Sequence, residues 1–377
     1  MASRSGHPAG PSADPGAATA GLRAGRHCGR EETRRLVDGV LEGGIDPAAL
    51  GPWLVALADL GESADEIAGA ADALRARMLT LPRVPGTAAG AAAGTVADTC
   101  GTGGDGSGSF NISSAAALVV AAAGLPVAKH GNRAVSSRSG SADVLERLGL
   151  RVDLPPAASA ECLDRLGFCF CLAPVHHPAM ARVGPLRRAL GRPTVFNLVG
   201  PLCNPAAATV QVIGVGRPAA REPLARAAAL VGLRRALIVS GQPAAAQADG
   251  SGFDEVSLFG PTEVLDVADG TITRRRWTPA DFGLPVLPAD RAEALAAAGP
   301  DESATAIRDV LAGRPGPRRD VVVINAAAVL WAADRAPTLG AARERAEQAI
   351  DAGAAARLLD GLVEFGRAWP HEPQPTT

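Results

Sequence analysis

Apolar side chains recur at helical spacing over the first part of the chain. Leu36, Val37, Val40 and Leu41 mark one amphipathic segment, and Leu54, Leu57, Ala58 and Leu60 mark a second. Ser63, with Glu66 three residues later, has the form of a capping box. The helix it opens carries Ile67, Leu74 and Met78 on its apolar face. This helical region is expected to end near Leu81, with a Pro/Gly/Ala linker over 82–94. Residues 1–28 hold almost no large apolar side chain and read as a disordered leader. They lack the apolar centre of a secretory signal.

The pattern then changes class. Short apolar runs at 96–100 and 126–129 each lead into a glycine-rich loop and then a helix, at 113–123 and 141–148. That alternation predicts a parallel sheet. Further strands are expected at 168–172, 193–198, 210–215, 236–239, 256–259, 263–267 and 271–275. A single helix over 176–191 carries Met180, Val183, Leu186 and Leu190 and is expected to return to the first helices. Others fall at 219–231, 302–311, 321–333 and 339–362, the last broken at Gly353, before a disordered tail from Pro370. The fold class expected is α/β: a small all-α domain plus a larger α/β domain with a central, mostly parallel sheet. The helical domain spans 29–94 and is completed by 174–192. The α/β domain comprises 95–173 and 193–369.

Composition narrows the function. The chain has 377 residues, 47% of them hydrophobic, and a net charge of −2. Without a basic excess, it is not expected to bind nucleic acid or a membrane surface. No apolar run approaches the roughly 18–20 residues needed to span a bilayer. The six cysteines form no C-x-x-C pair and read as free thiols of a reducing, cytoplasmic compartment. Lysine occurs once, at Lys129, inside the glycine-rich stretch. A compact ammonium suits a phosphate in a way a planar guanidinium does not, although coding bias toward arginine also accounts for it.

The candidate chemistry lies in the two loops. In Gly101-Thr102-Gly103-Gly104-Asp105, glycines permit close backbone approach, and successive amides can line an anion site. The loop leads to a helix start at Asn111-Ile112-Ser113-Ser114, whose first-turn amides favour phosphate. The alternative is a glycine turn with an ordinary serine cap. The spacing is neither that of a Walker A loop nor that of a dinucleotide fingerprint. The second loop carries Lys129, His130, Gly131, Asn132 and Arg133, then Ser136, Ser137, Ser139, Gly140 and Ser141, and reads as a second anion site, the alternative being a surface turn with a capped helix. Asp254-Glu255 follows a glycine-rich segment; adjacent carboxylates suit Mg²⁺ or are simply solvated acids.

These motifs, in this order, resemble the anthranilate phosphoribosyltransferase family: the glycine loop, K-H-G-N-R, S-G-S-A-D-V-L-E, H-P-A-M, V-F-N-L-V-G-P-L-C-N-P and D-E. The resemblance implies transfer of phosphoribose from phosphoribosyl pyrophosphate (PRPP) to anthranilate. It also implies two Mg²⁺ per site and a homodimer through the helical domain. By matching positions, PRPP would be held by Gly101, Gly104, Asp105, Ser109, Asn111, Ile112, Ser113, Ser114, Ser141 and the run Lys129, His130, Gly131, Asn132, Arg133, Ala134, Val135, Ser136, Ser137. Metal would be held by Ser113, Asp254 and Glu255. Anthranilate would meet Gly101, Asn132 and Arg187, with Arg187 facing its carboxylate. Catalytic roles fall to Lys129, His130 and Arg187, and His130 and Pro201 line the substrate passage. Cys100, Ser114 and Cys203 depart from the family's usual residues. An aromatic amine is already unprotonated near neutral pH, so no strong general base is required.

Three competing readings share the scaffold. A pyrimidine nucleoside phosphorylase is expected to carry K-H-S-T-G-G before the first loop, where this chain has Asp98-Thr99-Cys100. A nucleic-acid-binding relative is expected to be basic and to lack the acid pair. A secondary-metabolism paralogue using anthranilate or an analogue keeps the same motifs.

Overall fold

The computed structural model describes residues 14–82, 94–103, 105–134, 138–245 and 250–370. Gly104, Val135, Ser136 and Ser137, most of the expected linker and all but Pro370 of the expected tail lie outside the described residues.

Seven strands form one sheet in the order β3-β2-β1-β4-β5-β6-β7. They are β1 (Ala97–Gly101), β2 (Val127–Gly131), β3 (Phe168–Leu172), β4 (Val210–Gly214), β5 (Arg235–Gly241), β6 (Thr262–Ala268) and β7 (Thr271–Trp277). The first five are parallel; β6 and β7 are antiparallel. The alternation is visible in the burial. Val210, Val212, Leu237 and Val239 face one apolar core, whereas Ile213, Ala236 and Ile238 face the other.

The first core is filled by the buried helix α5 (Ile112–Ala122) and the C-terminal helices α12 (Pro300–Leu311), α13 (Pro317–Ala332), α14 (Leu339–Asp351) and α15 (Ala354–Ala368). Gly353, at φ +70°, breaks the last two as its sequence position predicts. Small side chains let α5 sit deep, with Ala115, Ala116 and Ala117 fully buried.

The second core runs without interruption from the sheet into the N-terminal helices α2 (Arg30–Glu42), α3 (Pro47–Leu60) and α4 (Ala64–Arg75). The capping box forms: Glu66 N donates to Ser63 Oγ at 3.3 Å, and Ser63 N donates to Glu66 Oε2 at 2.8 Å.

Four expectations are corrected. The leader is not disordered throughout. Pro15–Arg23 forms helix α1, started by Asp14 accepting from Gly16 N at 2.8 Å, and it buries Ala18 and Leu22 in the second core. Residues 193–198 are not a strand. Val195–Val199 is helix α10, because the Asn197 side chain accepts from Thr194 N at 3.0 Å and closes a helical turn. Residues 256–259 are buried but unladdered. Asn325 exchanges hydrogen bonds with both backbone groups of Val256, and Thr262 Oγ1 accepts from Ser257 N. The single helix over 176–191 is split by its prolines into α8 (Ala173–His176), a 3₁₀ turn Pro178–Arg182 and α9 (Gly184–Leu190). One helix the pattern did not announce, α7 (Pro156–Leu166), precedes β3; α6 (Ser141–Arg147) and α11 (Arg221–Leu230) complete the set.

Candidate active site

The strand order reverses between β1 and β4, and ligands of open parallel sheets bind at the carboxyl ends beside such a reversal. The loops after β1, β4 and β5 meet there. Gly101 pairs with Gly214 across β1 and β4, and Thr102 N donates to Gly214 O at 2.8 Å. A Cβ on Gly101 would lie 2.4 Å from Asp254 Oδ2, and one on Gly214 only 1.6 Å from the Asp254 carbonyl oxygen. Glycine at both positions is what lets the acid pair approach the first loop.

Asp254 and Glu255 arrive through the bridge between Gly241 and Phe253 at the end of β5. Burial pushes the Glu255 carboxyl up to about 8, with Asp105 adding repulsion and Lys129 opposing it. Burial, Asp105 and Glu255 together hold Asp254 well above the usual carboxylate range. Among the described residues, no three His, Cys, Asp or Glu side chains close into a ready-made metal cage. The donors are oxygens, crowded and mutually repelling, which fits a hard divalent cation that keeps waters and takes substrate oxygens.

The start of α5 differs from the expectation of free amides. Ser113 N donates to Glu255 Oε1 at 3.0 Å, Ser114 N to Asn111 O at 3.1 Å and Ile112 N to Phe110 O at 2.7 Å. Ser114 is fully buried, its hydroxyl unpartnered. Asn111 Oδ1 accepts from Ser139 Oγ and from Ser303 Oγ, both at 2.9 Å, tying the first loop to the second. Ser107 N and Ser107 Oγ both donate to Asp105 Oδ1 at 3.1 Å, so Asp105 shapes its own loop, and Ser107 Oγ lies 3.1 Å from Ser109 Oγ, from which it can accept.

The expected pair of loop cations is not assembled as such. Lys129 is 1% exposed; its Nζ donates to Thr99 O at 2.6 Å and to Ser113 Oγ at 3.3 Å, beneath the loops rather than on them. Arg133 is exposed and pairs with Glu146, Nη1 to Oε2 at 2.6 Å. Asp143 Oδ2 takes the amides of Ala134 and Gly140 at the start of the seven-residue helix α6. Gly131 is pressed against Ser141, whose hydroxyl a Cβ there would meet at 2.2 Å, and Asn132 is exposed beside it.

Arg187 stands on α9, whose Leu186 lies against Gly51 of α3. Its guanidinium is half-buried, 5.8 Å from the centre of the Phe196 ring, with no ion pair or hydrogen bond to any described residue. Burial lowers its pKa from the ordinary arginine value. An unpaired, partly desolvated guanidinium is costly until an anion meets it.

His130 and His177 are buried with ring centres 5.0 Å apart. His130 Nδ1–H donates to Gly200 O at 3.1 Å, which leaves Nε2 as an unpartnered acceptor. Burial holds His130 at about 3 and His177 at about 4, so both are neutral at physiological pH. A depressed histidine pKa gives stability that is present above the unfolded value of about 6.5 and lost as pH falls toward the folded value. The raised Asp98 carboxyl, pushed up to about 6 by burial, acts with the opposite sign in the same window. Wild-type protein should therefore lose more stability between pH 7 and 4 than His177→Asn, by up to about 1.4 kcal/mol per pH unit. Denaturant melts across that range check it; parallel curves would show that His177 is not held neutral.

Two buried groups were not singled out from the sequence. Asp98 and Asn204 hydrogen-bond to each other at 2.8 Å behind Lys129. Both lie within quoted motifs, and a polar residue in an otherwise apolar strand or turn was the available signal.

The profile described as glycosyl transferase family, a/b domain matches residues 93–356, and that of its helical bundle domain matches residues 17–78. The chain is 45% identical over 339 residues to an anthranilate phosphoribosyltransferase of Methylobacterium nodulans, covering 90% of this chain and 95% of that one. The crystal structure of anthranilate phosphoribosyltransferase from Thermus thermophilus superposes with a TM-score of 0.80 at 39% identity, covering 93% and 99% of the two chains. The Saccharomyces cerevisiae enzyme in complex with PRPP and Mg gives 0.81 at 26% identity, covering 94% and 98%. The same yeast enzyme has been solved with 4-fluoroanthranilate, at 0.79 and 25% identity, covering 95% and 99%.

Proposed function

The chain belongs to the anthranilate phosphoribosyltransferase family, and from that premise we propose that this site transfers phosphoribose from PRPP to the amine of anthranilate. The products are N-(5-phosphoribosyl)anthranilate and pyrophosphate, the second step of tryptophan biosynthesis from chorismate. One observation carries the reading most: a mutually repelling acid pair at the sheet's reversal, together with an unpaired guanidinium, Arg187, on a separate element. The first calls for a cation with polyphosphate, the second for a carboxylate.

Bound Mg²⁺ supplies charge neutralisation for departing pyrophosphate; Asp254, Glu255 and the Ser113 hydroxyl would hold it, and a count of two ions is part of the proposal. The chain's own residues do the rest. Gly101 and the side chains of Ser109 and Asn111 form the polyphosphate cradle, and Asp105 shapes the loop that carries it. Lys129, from below, places positive charge under Ser113 and next to Glu255. Arg133 would exchange Glu146 for ligand phosphate. Arg187 orients the acceptor's carboxylate, and the uncharged His130 and His177 keep a dry, neutral wall by the passage. Proton loss from the amine follows bond formation, and no residue here is required to remove it first.

The helical domain, completed by residues 174–192, is proposed to hinge on the α/β domain and to form a homodimer in the cytoplasm. No described helix is long and apolar enough to cross a membrane.

The reading is tested by pyrophosphate release. Release should require PRPP, anthranilate and Mg²⁺ together, and should fall about 100-fold or more in Asp254→Asn/Glu255→Gln. Undiminished release in EDTA would overturn the assignment of the acid pair.

A further inference from the structure

In the parallel part of the sheet, β2–β3, β1–β4 and β4–β5 each pair over five residues. Strands β1 and β2 pair at one position alone, Ala97 with Val127. Beyond it, the backbone groups of the two strands are satisfied by side chains. On β2, Ala128 O accepts from Asn204 Nδ2 at 2.8 Å, and His130 N donates to Asp98 Oδ1 at 3.3 Å. On β1, Thr99 O accepts from Lys129 Nζ at 2.6 Å. The other Asn204 N–H donates to Asp98 Oδ2 at 2.8 Å, and Asn204 Oδ1 accepts from Ala206 N at 2.8 Å. Asp98 is fully buried and Asn204 5% exposed.

A plain ladder would satisfy these backbone groups without burying a carboxylate. Burial is costly to Asp98 and raises its pKa, and only Lys129, Asn204 and the neighbouring amides compensate. A local rule broken this way next to a site marks geometry held for function. Two β2 residues beyond the last backbone pair reach toward the site: Lys129, on the Ser113 hydroxyl, and His130, on the Gly200 carbonyl.

We propose that Asn204, acting through Asp98, is a positioning residue: the pair stands in for the β1–β2 ladder and sets where Lys129 and His130 sit at the phosphoribosyl site. The role rests on the phosphoribosyl-transfer reading above. The turn that carries Asn204 is itself anchored from two sides. Arg75 Nε of α4 donates to Leu202 O at 2.6 Å, and Gln211 Nε2 of β4 donates to Pro201 O at 2.8 Å. Asn204 thereby references β2 to both the helical layer and the sheet.

The test compares wild type, Asn204→Ala, Asn204→Asp and the swap Asp98→Asn/Asn204→Asp, in steady-state kinetics and in hydrogen exchange over residues 127–131. A misplacement of about 1 Å costs about 100-fold. Asn204→Ala should therefore lose about 100-fold in kcat and raise the PRPP KM about 10-fold, with the anthranilate KM within about twofold and exchange at 127–131 accelerated. Asn204→Asp, with two facing carboxylates, should be at least as impaired, and the swap should recover about 10-fold of that loss. Wild-type kcat and PRPP KM in Asn204→Ala would overturn the proposal. If Asn204→Ala does not fold, a swap no more active than Asn204→Asp overturns it. An inactive wild type would instead count against the transfer reading, while the exchange comparison still reports on the Asp98–Asn204 pair.

Discussion

Lys129→Met should abolish useful turnover, with kcat falling about 1,000-fold, and should lower stability by about 3–5 kcal/mol. The stability loss arises because Lys129 is 1% exposed and lies within electrostatic reach of two buried carboxylates, Asp98 and Glu255. Removing one partner of a buried ionic cluster leaves the others uncompensated. The kinetic loss arises because the same ammonium backs the Ser113 hydroxyl beneath the proposed polyphosphate cradle, and removing one such preorganised donor costs about 100- to 1,000-fold. Lys129→Arg separates charge from shape. Lys129 is 1% exposed, and the larger planar guanidinium cannot replace the compact ammonium there without displacing its neighbours, so that variant should keep less than about a tenth of the activity. Denaturant melts and steady-state rates check both variants; a fully active Lys129→Arg would show that ammonium shape is unimportant.

Arg187→Ala should raise the anthranilate KM about 100-fold or more and leave the PRPP KM within about twofold. Truncating one partner of a buried charge pair costs about 2–5 kcal/mol. The guanidinium has no partner of its own among the described residues, so its whole electrostatic gain is reserved for the ligand. The unliganded variant should be as stable as wild type, since what is lost is a contact to Phe196 and what is relieved is a desolvated charge. Equal increases in both KM values, or a large loss of stability, would contradict an orienting role.

The fold was legible where one side-chain period dominates. The parallel strands, the buried α5 and the break at Gly353 follow from apolar spacing and glycine placement. It was illegible where a side chain replaces a backbone partner. The run Thr-Val-Phe-Asn-Leu-Val has the β-branched and aromatic content of a strand, yet Asn197 turns it into a helix. Residues 256–259 are apolar enough for a strand, yet Asn325 and Thr262 occupy their backbone groups. Helix α1 hides in a low-complexity stretch because alanine and one leucine suffice to bury it.

The same distinction holds in the site. Glycine loops, the acid pair and Arg187 are visible as residue types at spacing. That Glu255 caps α5, that Arg133 is already paired with Glu146, and that Asp98 and Asn204 take ladder positions depends on contacts between distant segments. No local pattern encodes those contacts. They change the picture of two phosphate loops into one in which many of the described loop amides are already occupied. Charge, more than free amides, is then what the site has to offer.

The most direct test of that account follows the intrinsic fluorescence of anthranilate with the wild-type protein. Fluorescence should fall to completion only when PRPP and Mg²⁺ are both present, and should hold steady when either is omitted or EDTA is added. A signal that stays constant with all components present would contradict the account and point to a different acceptor.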